Sequence, residues 1–156
     1  MLAVIGLGAN LGDRLASLRD AASRVAELGA VRARSTVYET EPVGPPQPRY
    51  LNAAMALETE LAPEELMRKL LAIEASMGRV RAEKNGPRTI DLDVLWIEGV
   101  TLATDELAVP HPRLVERAFA LAPLLDVAPD AREPGTGRAY ADIRLDRAGI
   151  RVHARL

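Results

Sequence analysis

Two aspartates two residues apart, Asp91 and Asp93, have the type and spacing that most directly indicate chemistry. They begin the run Asp91–Ile97, DLDVLWI, which is otherwise apolar and therefore predicts a buried strand. Alternate side chains of a strand share one face, so the two carboxylates would lie about 6 to 7 Å apart at their Cα atoms. Such a pair repels unless a cation lies between them, and Mg²⁺ favours oxygen ligands of this kind. The pair therefore predicts a metal site, although two ordinary strand-entry aspartates paired with arginines would show the same spacing.

The alternation along this run also predicts how the strand is buried. Leu95 and Ile97 should continue the face that carries the two aspartates, and Ile90, Leu92, Val94 and Trp96 should occupy the opposite face. Both faces are then apolar beyond the first residues. We expect the strand to be covered on both sides and its acidic head to lie at a sheet edge or cleft mouth.

Four basic residues precede the acidic pair: Arg79, Arg81, Lys84 and Arg88. Cations beside a metal-binding acid pair are explained when a polyanion lies between them, since guanidinium groups bind phosphate oxygens in pairs. The pattern therefore favours phosphate chemistry on a nucleotide triphosphate. A solvated basic loop that balances the nearby acids is the competing interpretation.

The segment from Lys84 to Leu95, K-x-G-P-R-x-x-D-L-D-V-L, resembles the signature of the hydroxymethyldihydropterin pyrophosphokinases. Further segments follow in the family's order: GANLG at residues 8–12, YETEPVGP at 38–45, YLNAA at 50–54, Glu74 ahead of GRVR at 78–81, and VPH at 109–111. The resemblance spans residues 3 to about 129.

This resemblance implies a fold and a reaction. The fold would be a ferredoxin-like α+β sandwich with a mostly antiparallel central sheet and helices on both faces. The reaction would transfer a pyrophosphoryl group from ATP to the hydroxymethyl group of 6-hydroxymethyl-7,8-dihydropterin, release AMP and serve folate biosynthesis. It also implies Mg²⁺ as the cofactor, with two ions, and ATP as a co-substrate.

The resemblance assigns a role to each matching position. Asp91 and Asp93 would bind the metal, and Arg79 and Arg88 would be the catalytic clamps on the triphosphate. The ATP-binding residues would be Glu74, Arg81, Lys84, His111 and Arg117. The pterin-binding residues would be Thr40, Pro42, Val43, Tyr50, Asn52 and Phe119.

Structural interpretations compete with several of these roles. Without the resemblance, Phe119 would be assigned to the core, and Glu74 to an exposed position on its helix. Some family members carry a tryptophan where this chain has Asn85, so the resemblance does not assign the residue of that loop that closes over the pterin.

Local patterns predict the elements that position these residues. Strands are expected over residues 2–7, 31–40 and 50–60, and helices over residues 13–28 and 64–77 and after His111. Glu98-Gly99 should turn the acidic strand into a hairpin with residues 100–103. The proline-rich segment 41–49 is predicted to be a lid, or else a rigid connector. The tail 150–156, including His153, receives no role.

Composition limits the class of protein. A length of 156 residues predicts one domain spanning residues 1–156. A net charge of −2 argues against a nucleic-acid partner, and no apolar run reaches membrane-spanning length. The absence of cysteine and of a signal segment predicts a cytoplasmic protein. We expect a monomer that acts on small molecules.

Two other functions remain open from the residues alone. A magnesium-dependent nucleotide hydrolase would use the same acids and arginines but would not need Tyr50, Asn52 and Phe119. A non-enzymatic, ferredoxin-like module that binds RNA should interleave aromatic and basic residues on adjacent strands, whereas aromatic residues form only 3% of this chain.

Overall fold

The computed structural model describes residues 1–42, 44, 46–78 and 89–156. Its main sheet has six strands: β1 (Leu2–Ala9), β2 (Ala30–Arg34), β3 (Thr36–Thr40), β4 (Tyr50–Glu58), β5 (Asp91–Ile97) and β8 (Ile150–Arg155). The strand order is β5-β1-β4-β3-β8, with β2 also paired to β4. All these pairings are antiparallel. Two short strands, β6 (Leu102–Ala103) and β7 (Ala108–Val109), form a separate pair.

Three α-helices accompany the sheet: α1 (Arg14–Val25), α2 (Pro63–Ser76) and α3 (Ala118–Val127). Short 3-10 helices cover Ala26–Leu28, Leu114–Glu116 and Tyr140–Asp142. The Asp13 carboxylate accepts the Ala16 N–H at 3.1 Å and so caps the start of α1. Pro63 begins α2, where its missing N–H is not needed. None of the helices in the described ranges is long and apolar enough to cross a membrane.

The helices bury both faces of the sheet. Leu18 of α1 and Leu66 and Leu70 of α2 pack in one core with sheet residues such as Ile5 and Met55. On the other face, α3 contributes to a second core, whose members include Val4, Ala54, Trp96, Leu121 and Leu124. The predicted antiparallel sheet with helices on both faces is thus confirmed.

A change of register between β1 and β5 corrects the predicted alternation. Ile5 pairs with Val94 and Val4 with Trp96, so one extra residue of β5 is accommodated between these pairs. Beyond that point the side chains exchange faces. Trp96 therefore joins Leu95 in the core under α3, and Ile97 joins the core under α1 and α2, the reverse of the prediction for both residues.

One other prediction about an element was wrong, and one segment without a predicted structure forms a strand. Residues 100–103 do not form a hairpin with β5, because β6 pairs with β7 beyond the turn at Glu98-Gly99. The tail, to which no role was assigned, forms β8, which pairs with β3 along its length, from Thr36 opposite Arg155 to Thr40 opposite Ile150. Long-range pairing decides both outcomes, and no local pattern encodes it.

Candidate active site

Asp91 and Asp93 lie at the start of β5 and face the same side of the sheet. Their partners across the β1–β5 pairing are two glycines, with Gly8 opposite Asp91 and Gly6 opposite Asp93. Both aspartates are half-buried and line one cleft above these strands. The two carboxylates therefore converge at the mouth of a cleft, as predicted.

Six of the predicted site residues meet in this cleft. Its walls include the side chains of Asn52, Asp91, Asp93, His111, Arg117 and Phe119. They come from β4, β5, the loop after β7 and the start of α3. Acidic and basic groups are thus placed beside an amide and an aromatic ring, an arrangement that suits a charged substrate next to a flat polar one.

His111 is held against the acidic pair by two backbone contacts. Its own N–H donates to the Leu95 carbonyl at 2.8 Å, which ties the loop to β5. The Arg113 N–H donates to His111 Nδ1 at 3.3 Å, so the neutral ring carries its proton on Nε2. That Nε2 lies 3.4 Å from Asp93 Oδ2. A polar N–H is therefore directed at the carboxylate and at the space beside it.

Arg117 stands at the end of the cleft near Phe119. Its guanidinium carbon lies 5.5 Å from the centre of the Phe119 ring, a cation–π distance. Its Nε is buried and has no hydrogen-bond acceptor within the described part of the chain. Burial lowers the pKa of Arg117 and Arg113 acts in the same direction, whereas Asp93 and Asp91 oppose the shift. Arginine still remains a cation at neutral pH, so this is a half-buried positive group available to an anion.

Asn52 is oriented by the neighbouring strand. Its Nδ2 donates to the buried hydroxyl of Thr40 at 2.6 Å. The amide oxygen and the second N–H are then left for the cleft. As predicted, Asn52 lies off the face formed by Leu51, Ala53, Met55 and Leu57, which packs in the core under α1 and α2. Thr40 itself lies in an adjoining cavity that shares Arg117 and Phe119 with the cleft.

The glycines of β1 were not predicted to take part in the site. A Cβ built on Gly8 would stand 2.9 Å from Asn52 Oδ1 and 3.5 Å from the Tyr50 ring. A Cβ on Gly6 would meet the Leu95 side chain at 3.1 Å. Two glycines inside an apolar strand are the signal that could have revealed this close approach.

Asn10 anchors the proline-rich loop beside the cleft, a second role that sequence reasoning missed. The Asn10 side chain is 1% exposed, and its Nδ2 donates to Gln47 Oε1 at 2.8 Å and to the Pro48 carbonyl at 3.0 Å. Arg14 adds a hydrogen bond of 3.0 Å to the Arg49 carbonyl. The end of this loop next to β4 is therefore tied to the end of β1 and the start of α1.

Glu74 lies behind the cleft, apart from its lining residues. It is 2% exposed, which excludes the interpretation as an exposed helix glutamate. Its Oε2 accepts the Leu92 N–H at 2.8 Å, between the two aspartates in the chain. The carboxylate thus contacts the backbone of the metal-binding strand.

The remaining predicted residues fall into two groups. Pro42 is half-buried and is absent from the cleft lining, and Tyr50 contributes through its proximity to Gly8. Five residues lie outside the described ranges, as does Asn85: Val43, Arg79, Arg81, Lys84 and Arg88.

Comparison with protein families places this geometry in context. Residues 4–129 match the family model of 7,8-dihydro-6-hydroxymethylpterin-pyrophosphokinase. A protein of Methylorubrum extorquens named 2-amino-4-hydroxy-6-hydroxymethyldihydropteridine pyrophosphokinase is 44% identical, over 95% of this chain and 96% of its own. The protein of the same name from Bacillus subtilis is 40% identical, over 97% of this chain and 89% of its own.

Solved structures show the same fold at low identity. The wild-type HPPK-DHPS of Plasmodium falciparum with pteroate aligns with a TM-score of 0.70 at 16% identity, over 91% of this chain. An HPPK-DHPS in complex with substrates aligns with a TM-score of 0.69 at 15% identity. This chain spans only 41% and 42% of those two chains, respectively. These likenesses concern the fold.

Proposed function

The chain belongs to the 7,8-dihydro-6-hydroxymethylpterin-pyrophosphokinase family, and we propose that the cleft between β5, β4 and α3 is where it carries out the family's reaction. The protein is a diphosphotransferase that moves pyrophosphate from ATP to hydroxymethyldihydropterin in folate synthesis. One observation supports this choice of site: a single cleft is lined by two acidic residues, two basic or polar nitrogen donors, an amide and an aromatic ring. These are Asp91, Asp93, His111, Arg117, Asn52 and Phe119.

The acidic pair fits a magnesium ion that arrives with ATP. Within the described ranges, no group of three or more His, Cys, Asp or Glu side chains could hold a metal ion. A Mg²⁺ site does not need three such side chains, because Mg²⁺ commonly binds through one or two carboxylates together with substrate phosphates and water. Asp91 and Asp93 would hold it, and we propose two ions as in the family. Bound there, Mg²⁺ would neutralise negative charge on the phosphates during the transfer.

The triphosphate is proposed to lie between the acidic pair and the basic residues. The buried Nε of Arg117, which lacks a described acceptor, supports an anion at that end of the cleft. The Nε2–H of His111 can donate to a phosphate oxygen beside Asp93. Arg79 and Arg88 are proposed as clamps that position the triphosphate, with Arg81 and Lys84 also in the nucleotide site. Glu74, which the resemblance assigns to this site, is proposed to support it from behind β5. Such preorganised donors are the main contribution that proteins make to this class of reaction.

The pterin is proposed to occupy the part of the cleft next to Gly8. Asn52 offers a carbonyl and an N–H to the edge of the heterocycle, and Phe119 offers a ring for stacking. Thr40 would act by holding Asn52, with Pro42, Val43 and Tyr50 completing the pocket. The pterin hydroxymethyl oxygen would then form a bond to the β-phosphorus, while the bond between that phosphorus and the α–β bridging oxygen breaks and AMP leaves.

The test is to identify the adenine product. Incubated with ATP, Mg²⁺ and 6-hydroxymethyl-7,8-dihydropterin, the protein should release AMP in a one-to-one ratio with diphosphorylated pterin, as measured by chromatography. A parallel reaction without pterin tests for hydrolysis and should leave ATP intact. Stoichiometric ADP, or ATP breakdown that does not need the pterin, would refute the proposal.

The monomeric state stays a prediction from the sequence. Light scattering during size-exclusion chromatography should give a mass near 16.9 kDa. The cytoplasmic location stays a prediction from the sequence.

A further inference from the structure

We infer that Glu74 is a positioning residue, which sets the orientation of Asp91 and Asp93 through the backbone N–H of Leu92. The inference rests on the proposed function, because it takes the two aspartates as the metal ligands. It adds a role for a side chain that does not line the cleft and contacts the metal-binding strand from outside it.

The geometry places the Glu74 carboxylate at the middle of the acidic pair. Leu92 lies between the two aspartates in the chain, and its N–H donates to Glu74 Oε2 at 2.8 Å. The Leu92 side chain packs in the core under α1 and α2, on the face opposite the aspartates. Holding this one amide therefore restricts the backbone rotation that would swing both carboxylates together.

The strand needs such a contact because β5 is the edge of the described sheet. It pairs with β1 on one side only, and Gly8 and Gly6 are the partners of Asp91 and Asp93. The N–H groups of an edge strand alternate between the neighbouring strand and the outside. The Leu92 N–H donates to a side chain of α2, so it points outward, and Glu74 supplies the acceptor that a further strand would otherwise provide.

The position of this carboxylate is unfavourable in two respects. Removing an ionised group from water is costly in free energy, and the C-terminal end of a helix disfavours a negative charge. Glu74 is nevertheless 2% exposed and lies in the last turn of α2. The hydrogen bond from the Leu92 N–H of the metal-binding strand offsets part of this cost.

Two substitutions separate the hydrogen bond from the charge. Glu74→Gln removes the charge but keeps an acceptor oxygen at the same reach. Glu74→Asp keeps the charge but is one methylene shorter, which withdraws the acceptor from Leu92. Glu64→Gln and Glu64→Asp are the matched controls, because Glu64 lies in the first turn of the same helix, whereas Glu74 lies in the last.

The experiment measures the binding of Mn²⁺, which serves as a paramagnetic probe for the acidic pair. Binding is measured by electron paramagnetic resonance in the presence of α,β-methylene-ATP. Loss of an outer contact to a metal ligand typically weakens the affinity about 10- to 100-fold. We expect Glu74→Asp to weaken Mn²⁺ binding by about tenfold or more and Glu74→Gln to stay within about threefold of the wild type. The Glu64 variants should bind as the wild type does. Leu70→Val, which thins the core under the same helix, should lower the unfolding temperature without changing the affinity.

The outcomes distinguish this inference from the proposed function. Unchanged Mn²⁺ binding in Glu74→Asp, or an equal loss in Glu74→Gln, overturns the positioning role alone. If Glu74→Asp does not fold, the Glu74→Gln result still decides, since a loss of about tenfold there contradicts the role of the acceptor. Mn²⁺ binding that survives in Asp93→Asn overturns the metal assignment, and the positioning role falls with it.

Discussion

Gly8 and Asn52 lie opposite each other in neighbouring strands, and the absence of a side chain at Gly8 leaves room for the Asn52 amide. A Cβ on Gly8 would stand 2.9 Å from Asn52 Oδ1, closer than a side chain tolerates. Asn52 is also bonded to Thr40 on its other side, so it cannot withdraw without breaking that hydrogen bond. The pair therefore defines the shape of the proposed pterin pocket.

We expect Gly8→Ala to weaken pterin binding. The added methyl group would displace the Asn52 amide, and overpacking of this kind costs about 1 to 3 kcal/mol. The KM for the pterin should rise about tenfold or more, while the KM for ATP changes little. Gly135→Ala is the control, because no described atom lies within 4 Å of the Cβ position there. Equal pterin KM values for the Gly8 variant and the wild type would contradict this account.

Neutralising either member of the acidic pair should abolish turnover and leave the fold intact. Asp91→Asn and Asp93→Asn each remove a ligand charge from the proposed Mg²⁺ site, a contribution of several kcal/mol to the transition state. We expect kcat to fall by about 100-fold or more in either variant, with circular dichroism unchanged. Asp105→Asn, at an exposed position outside the cleft, should retain wild-type activity. Near-wild-type turnover in either cleft variant, with magnesium as the metal, would refute the assignment of Asp91 and Asp93 as metal ligands.

The donor at His111 Nε2 should matter more than the rest of the ring. A glutamine amide can reach the Nε2 position, whereas an asparagine amide reaches only as far as Nδ1, which accepts the Arg113 N–H. His111→Gln is therefore expected to keep about tenfold more activity than His111→Asn in steady-state assays, the usual scale for one charge-assisted contact. His153→Gln, on the exposed face of β8, serves as the control. The reverse order of the two His111 variants would show that Nδ1, and not Nε2, contributes to the reaction.

Tyr140 should make the protein sensitive to alkali. Burial raises the pKa of Tyr140 to about 12, with Glu133 adding to the effect. The neutral phenol is the form that the fold favours, so its contribution to stability is complete below the unfolded pKa of about 10 and is lost as the pH rises towards 12.

Tyr140→Phe tests this dependence. Over that pH window the free energy of unfolding of the wild type should fall by about 2 to 3 kcal/mol more than that of the variant, measured by denaturant titration. At pH 7 the variant should be as stable as the wild type or slightly more so, because the Tyr140 hydroxyl is buried without a partner among the described residues. Parallel pH profiles for the two proteins would contradict the shift.

The elements that carry the site were accessible from sequence because their signals are local. The apolar run after Asp91 and Asp93 predicts a strand with both carboxylates on one face, and the structure has that strand. The stripe of Leu66, Leu70 and Ile73 predicts α2 in the same way. The spacing of apolar residues shows which face of a helix or strand is buried. It can therefore be read from the segment's own sequence, without knowing which elements pack against it.

Tertiary structure alone decided which residues meet around that strand. The register change opposite Trp96 reversed the predicted faces of Trp96 and Ile97, since an extra residue shifts every side chain beyond it. The pairing of β8 with β3 and the approach of His111 to Asp93 likewise join segments that are distant along the chain. The burial of Glu74 against the Leu92 amide depends on how α2 packs beside the edge of the sheet. Each of these contacts is set by packing between elements, a constraint that no single segment of sequence contains.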